Sequence, residues 1–275
     1  DRGRAREWST VLLAKGVPHL TSEVEGGVAV FVPADQEDLA LGQLAAYDRD
    51  ERQAREEAGR APAPPPPMTG SPWPGLVVAA AVLAAVHGWR VTRGEGLARS
   101  WARDGVEIFE QGEWWRPMTA LLVHADLAHL LGNIAFGVLL MWFVLHAYGR
   151  RLGWLWVLTA GTLGNLAVAA VFYPERFGGV GASTAVFAAV GLLVVHGMVW
   201  SPGTSGMRRH RTWLVPLGGG LALLGIFGSG GEDLNVDLAA HLAGFGAGMV
   251  VGAGPSWWQR WCRVRDRPVA AAPIS

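Results

Sequence analysis

GASTAVFAAVGLLVVHGMVW, residues 181–200, is the stretch on which the reading of this chain turns. From Ala185 to Trp200 the run is almost wholly apolar. It approaches the roughly 20 mostly apolar residues that a membrane-spanning helix needs. Ser183 stands at its head and is the only serine inside any of the long apolar segments. A hydroxyl at membrane depth loses its hydration unless something nearby hydrogen-bonds it. Polar groups there face a bundle interior or a wet cavity and usually mark function. The alternative is a serine that bonds back to its own helix or lets two helices pack closely. The positions of the histidines decide between these readings.

Composition narrows the classes first. The chain has 275 residues, 51% of them hydrophobic, and 14 are Trp. One cysteine, Cys262, excludes an internal disulfide framework and a cysteine-rich zinc site. Lys+Arg and Asp+Glu are both 23, so no net field points to nucleic acid. Charges crowd the first sixty residues and then fall into short clusters between apolar runs. This patterning implies a small soluble domain followed by a membrane domain. Asp1 to Arg6 is charged and no apolar core follows it, so no signal peptide is expected.

Residues 1–56 read as a compact α+β unit. Glu7 to Lys15 has helical spacing, with Trp8, Val11 and Leu12 on one face. Val28 to Val32 is a short β-rich run ended by Pro33, after which Asp35 is expected to cap a helix through Leu39, Leu41, Leu44 and Tyr47. No Cys/His cluster, glycine-rich phosphate loop or carboxylate pair lies in this unit, which reads as a docking or regulatory appendage. Residues 57–74 carry Pro62, Pro64 to Pro67, Pro72 and Pro74 and form a semi-rigid linker. Apolar segments then follow at about 75–92, 129–148, 154–173, 182–200, 213–228 and 237–254, six spans in all. Residues 255–275 are a basic tail.

Arginines orient the bundle. Arg150-Arg151, then Arg208, Arg209 and Arg211, then Arg260, Arg263, Arg265 and Arg267 follow the second, fourth and sixth segments. With six spans all three clusters share one face, which the positive-inside rule makes cytoplasmic, and the N-terminal unit lies there too. Arg90, Arg93, Arg99 and Arg103 fall on the other side, against the rule. They sit in or beside a long loop, about 93–128, that mixes charges with Trp101, Phe109, Trp114 and Trp115. That mixture suits a partly helical element lying in the membrane interface.

Segments two, four and six run in the same direction, so their N-terminal ends share one depth. This layer holds His129 and Asn133, Ser183, and Asp237 and His241. His196 lies about 20 Å deeper than Ser183, and His146 about 25 Å deeper than His129, at 1.5 Å per residue. Both are expected to be satisfied histidines near the cytoplasmic face. A serine hydroxyl needs a base to become a nucleophile, and His241 is the candidate. Ala240, Gly244, Gly248 and Gly252 form a small-residue face that lets two backbones approach. Gly181, Ala185 and Ala189 offer the matching face. His129 and Asn133 share one helix face and can donate to an oxyanion together with the Ser183 N–H; the alternative is a pair that ties segment two to the interfacial loop. Asp237, one turn before His241, reads as a helix cap or as an orienting carboxylate.

Gly181-Ala182-Ser183, Ala240-His241-x-x-Gly244, His129-x-x-x-Asn133 and Trp115-Arg116, in this order across six spans, resemble the rhomboid intramembrane serine proteases. The resemblance covers residues 75–254. It implies an all-α polytopic membrane protein with a six-transmembrane-helix rhomboid-like bundle, a Ser–His dyad and no cofactor. Ser183 is then the nucleophile and His241 the general base. His129 and Asn133 are the oxyanion donors, His124 belongs to the same outer-loop cluster, and Trp115-Arg116 anchors the interfacial loop. The expected reaction is cleavage of transmembrane protein substrates within or near the lipid bilayer, in a bacterial inner membrane. One departure stands out. The family usually has glycine after the serine, and here Thr184, stiffer and β-branched, bears on the oxyanion cavity and on efficiency. An inactive, client-binding rhomboid-like protein is the alternative. A transporter or channel is disfavoured because the spans lack Lys and Glu and show no internal repeat.

Overall fold

The computed structural model describes residues 2–24, 27–60, 68–200, 217–222 and 237–265. The chain divides into two compact units, the first formed by its N-terminal 61 residues. There α1 (Arg2–Ala14) packs on α2 (Glu37–Arg60), and β1 (Leu20–Val24) pairs antiparallel with β2 (Gly27–Phe31), Leu20 opposite Phe31. The small core is Leu12, Val17 and Ala40, with Val30, Val32 and Leu44 against it. Arg4 bridges the two helices, donating to Asp48 at 2.6 Å and Glu51 at 2.7 Å. β1 is absent from the sequence expectation because Leu-Thr-Ser-Glu-Val is exposed along its whole length and shows no apolar alternation. Asp35 does not cap α2 as expected. It lies inside a short 3-10 turn, Ala34–Gln36, whose N-cap Pro33 makes no side-chain cap bond.

The second unit is built from five helices long and apolar enough to cross a membrane. They are α3 (Trp73–Arg93), α7 (Leu127–Tyr148), α8 (Arg150–Phe172), α9 (Ser183–Trp200) and α10 (Leu238–Arg265). Pro74 sits in the first turn of α3, where its missing N–H costs nothing. Of the expected span at 213–228, residues 217–222 are helical and the rest lies outside the described residues. Between α3 and α7 the interfacial loop is partly helical, as expected: α4 (Glu95–Trp101), α5 (Gly105–Phe109) and α6 (Arg116–Thr119).

Helix α9 is the centre. Its side chains are apolar all round, and 56% of its span is buried, against 6% for α3. It packs on α7, α8 and α10. Its contact with α10 is made by backbone, because the glycines foreseen on α10 leave nothing between the chains. On α9 the face that meets them is Thr184, Ala188 and Leu192 rather than the expected Gly181, Ala185 and Ala189, and Ala185 lies against Gly161 of α8 instead. A Cβ added at Gly244 would strike the Thr184 carbonyl, one at Gly248 the Ala188 carbonyl, and one at Gly252 the Leu192 side chain. The pairs advance together along both chains, so α9 and α10 run parallel and in register. Gly164 of α8 closes the third side, where a Cβ would lie 2.9 Å from both Gly244 Cα and Thr184 Cγ2.

Candidate active site at the head of the central helix

Ser183 is the first residue of α9, half-buried, where the leading N–H groups of a helix have no intrahelical partner. The loop before it reaches this point through Gly181, whose φ of +133° disfavours any residue with a Cβ. Space excludes one as well. A Cβ there would lie 2.6 Å from His129 Cε1, 2.7 Å from His129 Nε2 and 3.6 Å from Ser183 Oγ. The imidazole of His129 and the hydroxyl of Ser183 therefore border one small volume.

His129 and Asn133 are held on α7. Asp126 caps that helix, accepting from the His129 N–H at 2.7 Å. Asn133 Nδ2 donates to the His129 carbonyl at 2.9 Å, which leaves its second amide proton and its oxygen uncommitted by that bond. His124 is fully buried, its ring edge-on to that of His129 at 5.2 Å. Its Nε2 accepts the Ala182 N–H at 3.3 Å. The proton then belongs on Nδ1, which faces the Leu122 carbonyl without a well-aligned hydrogen bond. Burial, reinforced by His129 beside it, pushes the His124 pKa down to about 4, so the ring is neutral and can act as this acceptor.

His241 is buried on α10, its ring 4.5 Å from that of Phe187. Phe187 is one turn along α9 from Ser183, on the same face. The register of α9 on α10 sets His241 one turn ahead of the Gly244–Thr184 contact, level with Gly181 and so within one turn of the serine. His124, His129, Asn133, Ser183 and His241 thus gather at one end of the bundle. His146 and His196 do not join them. His146 Nδ1 bonds the Trp142 carbonyl at 2.6 Å, and the His196 ring packs 5.1 Å from Tyr148. The expectation of satisfied histidines holds for His146; at His196 the buried Nδ1 has no hydrogen-bond partner among the described residues. A cavity of about 440 Å³ between α3, α7, α8 and α9 reaches Asn133 and Ala182, but Ser183 and His241 are not among its lining residues. Among the described residues no group of three or more His, Cys, Asp or Glu is placed to hold a metal ion.

Two features correct or extend the sequence reading. Thr184 does not project into the cavity. It is buried between α8 and α10, where its Oγ1 donates to Asn165 Oδ1 at 3.0 Å. Asp237 acts as a cap, accepting from the Ala240 N–H at 2.9 Å, and its second oxygen pairs with Arg103 at 2.5 Å. Asn165 and Arg103 were missed. The signal for Asn165 was a lone amide inside an apolar span. Arg103 looked like one more loop charge. Arg116 is buried inside the interfacial loop, on Glu113 at 2.5 Å and on the carbonyls of Arg99 at 2.7 Å and Ala102 at 3.0 Å, while Trp115 is exposed.

Apolar helices of spanning length around a buried central helix define an integral, polytopic, mostly helical membrane protein. The chain matches the rhomboid domain family over residues 111–257. It is 30% identical over 152 residues to rhomboid protease GluP of Bacillus subtilis (strain 168), a match covering 53% of this chain and 27% of that protein. It is 27% identical over 177 residues to rhomboid-like protease 2 of Toxoplasma gondii, covering 61% of this chain and 60% of that protein. The matches therefore span less than two thirds of either relative's length. The chain belongs to the rhomboid family.

Proposed function

We propose that this protein is an intramembrane serine endopeptidase that cleaves single-span membrane proteins within or just outside the bilayer. Ser183 is the nucleophile and His241 the general base; His129 and Asn133 stabilise the oxyanion, and His124, whose Nε2 accepts the Ala182 N–H, positions the segment that delivers the serine. The observation that carries this reading is the glycine-mediated contact of α9 with α10, which supports His241 on the serine's face and within one turn of it. In the first half-reaction Ser183 Oγ attacks the scissile carbonyl and its proton passes to His241. The negative charge that develops on the carbonyl oxygen is met by N–H donors at the head of α9 and by the donors of His129 and Asn133. His241 then returns the proton to the leaving amine, and water attacks the acyl-enzyme with His241 again as base. The substrate segment must unwind locally, because a helical backbone keeps its carbonyls in internal hydrogen bonds.

The arginine clusters support an orientation with the N-terminal unit, the linker and the basic tail in the cytoplasm and the site toward the outer face of a bacterial inner membrane. A fluorophosphonate probe tests the nucleophile. The wild-type protein should be labelled at Ser183 and the Ser183→Ala variant should not; labelling of both to the same extent would remove Ser183 from the role.

A further inference from the structure

Arg103 is 1% exposed, although it lies in the loop between two spanning helices. A charge withdrawn from water is costly unless it is paired and hydrogen-bonded, and this one is paired in a specific way. Its Nη2 donates to Asp237 Oδ2 at 2.5 Å, and its Nη1 to Asn165 Oδ1 at 3.3 Å. Asn165 Oδ1 also accepts from Thr184 Oγ1 at 3.0 Å, while Asn165 Nδ2 donates to the Pro117 carbonyl at 2.8 Å. The Arg103 backbone pairs in both directions with Gly179, at 2.9 Å and 3.1 Å. A Cβ at 179 would come within 2.5 Å of Arg103 Nη2 and 2.8 Å of Asp237 Oδ2, so any larger residue there would push the ion pair aside. The Phe177 ring lies 5.4 Å from the guanidinium carbon.

Three arms of this network end beside the proposed dyad, while the fourth ties Asn165 to Pro117 of α6. Asp237 is one turn before His241 and caps its helix. Thr184 follows Ser183, and Gly179 lies in the loop that delivers it. The planar guanidinium has donors in a fixed fork, so the positions of its acceptors are set relative to one another. From this juxtaposition we infer that Arg103, with Asp237, Asn165 and Thr184, is a positioning group that holds the start of α10 against the start of α9 and so sets the Ser183–His241 geometry. The inference rests on the dyad reading above. It also accounts for the threonine at 184, which the chain uses as the link from the nucleophile's helix to the arginine.

The test uses the full chain in detergent, with Asp237→Asn, Thr184→Val and Arg103→Lys. Asp237→Asn keeps the cap oxygen and the shape but removes the charge; Thr184→Val keeps the shape but removes the hydroxyl. Two quantities are read per folded, monodisperse molecule: the fluorophosphonate labelling rate, and kcat and KM on a labelled single-span substrate. Misplacement of a reacting group by about 1 Å can cost about 10²-fold. Asp237→Asn and Arg103→Lys are expected to lower kcat and labelling together by about 10- to 100-fold with KM nearly unchanged, and Thr184→Val by a smaller factor. Wild-type labelling rates in variants that are only less heat-stable would reduce the network to scaffolding and overturn the inference. If Asp237→Asn and Arg103→Lys do not yield folded protein, Thr184→Val decides by the same criterion. Failure of the wild type to label at Ser183 would instead defeat the dyad reading, and the inference with it.

Discussion

In the proposed reaction Ser183 gains its chemistry from where α9 begins. Free N–H groups at a helix head attract developing negative charge, and Gly181 brings His129 to the same spot. His241→Ala should therefore cost nearly as much turnover as Ser183→Ala, and the double variant should be no worse than either, because dyad members act as one unit. Asn133→Ala should cost about 10²–10³-fold, the usual loss of one oxyanion donor. Both are checked by kcat on a labelled substrate; an intact kcat in His241→Ala would sink the assignment of the base. His124 makes a separate statement about pH. Its pKa of about 4 lies below the ordinary 6.5, so the unfolded chain binds more protons between these values. Stability from this residue is complete above pH 6.5 and is lost as the pH falls toward 4, by at most about 1.4 kcal/mol per unit. Thermal melts from pH 7 to 4.5 should show this slope, and it should flatten in His124→Gln.

At the scale of elements, the contact of α9 with α10 is the joint on which the site depends. A methyl at Gly248 would strike the Ala188 carbonyl, whereas one at Gly246 meets open space. Gly248→Ala should destabilise by about 1–3 kcal/mol, as overpacking does, and should lower activity by parting the helices. Gly246→Ala should leave both unchanged. Melting midpoints and kcat of this pair check the joint, and equal behaviour of the two variants would contradict it. Much of this was legible in the sequence. Spans announce themselves by length and hydropathy, and a small residue every fourth position marks a close-packing face. Depth along parallel spans is simple arithmetic at a fixed rise per residue, which is why Ser183, His241, His129 and Asn133 could be grouped. What escaped depends on tertiary contact. β1 is a polar strand with no alternation to betray it. Arg103 reads as a solvated charge until the fold closes over it, and the hydroxyl of Thr184 has no visible partner until α8 supplies Asn165. Asp35 failed as a cap because Pro33 opens a 3-10 turn there instead.

For the whole molecule the proposal has two parts, orientation and reaction. In a Cys262→Ser background, cysteines placed at the exposed positions Asp38 and Gln111 should label from opposite faces of sealed inverted vesicles, Asp38 from the cytoplasmic side. Labelling of both from one side would break the six-span topology. Two of the loop arginines that oppose the charge rule, Arg99 and Arg103, border or enter the packed interfacial structure: the Arg99 carbonyl holds Arg116, and the Arg103 side chain is buried. The reaction is tested most directly in proteoliposomes that hold a single-span substrate labelled on both sides of its membrane segment. Wild-type protein should release two fragments cut within or just outside that segment, and Ser183→Ala, reconstituted to the same level, should release none. Intact substrate with the wild type, or equal cleavage by Ser183→Ala, would contradict the account.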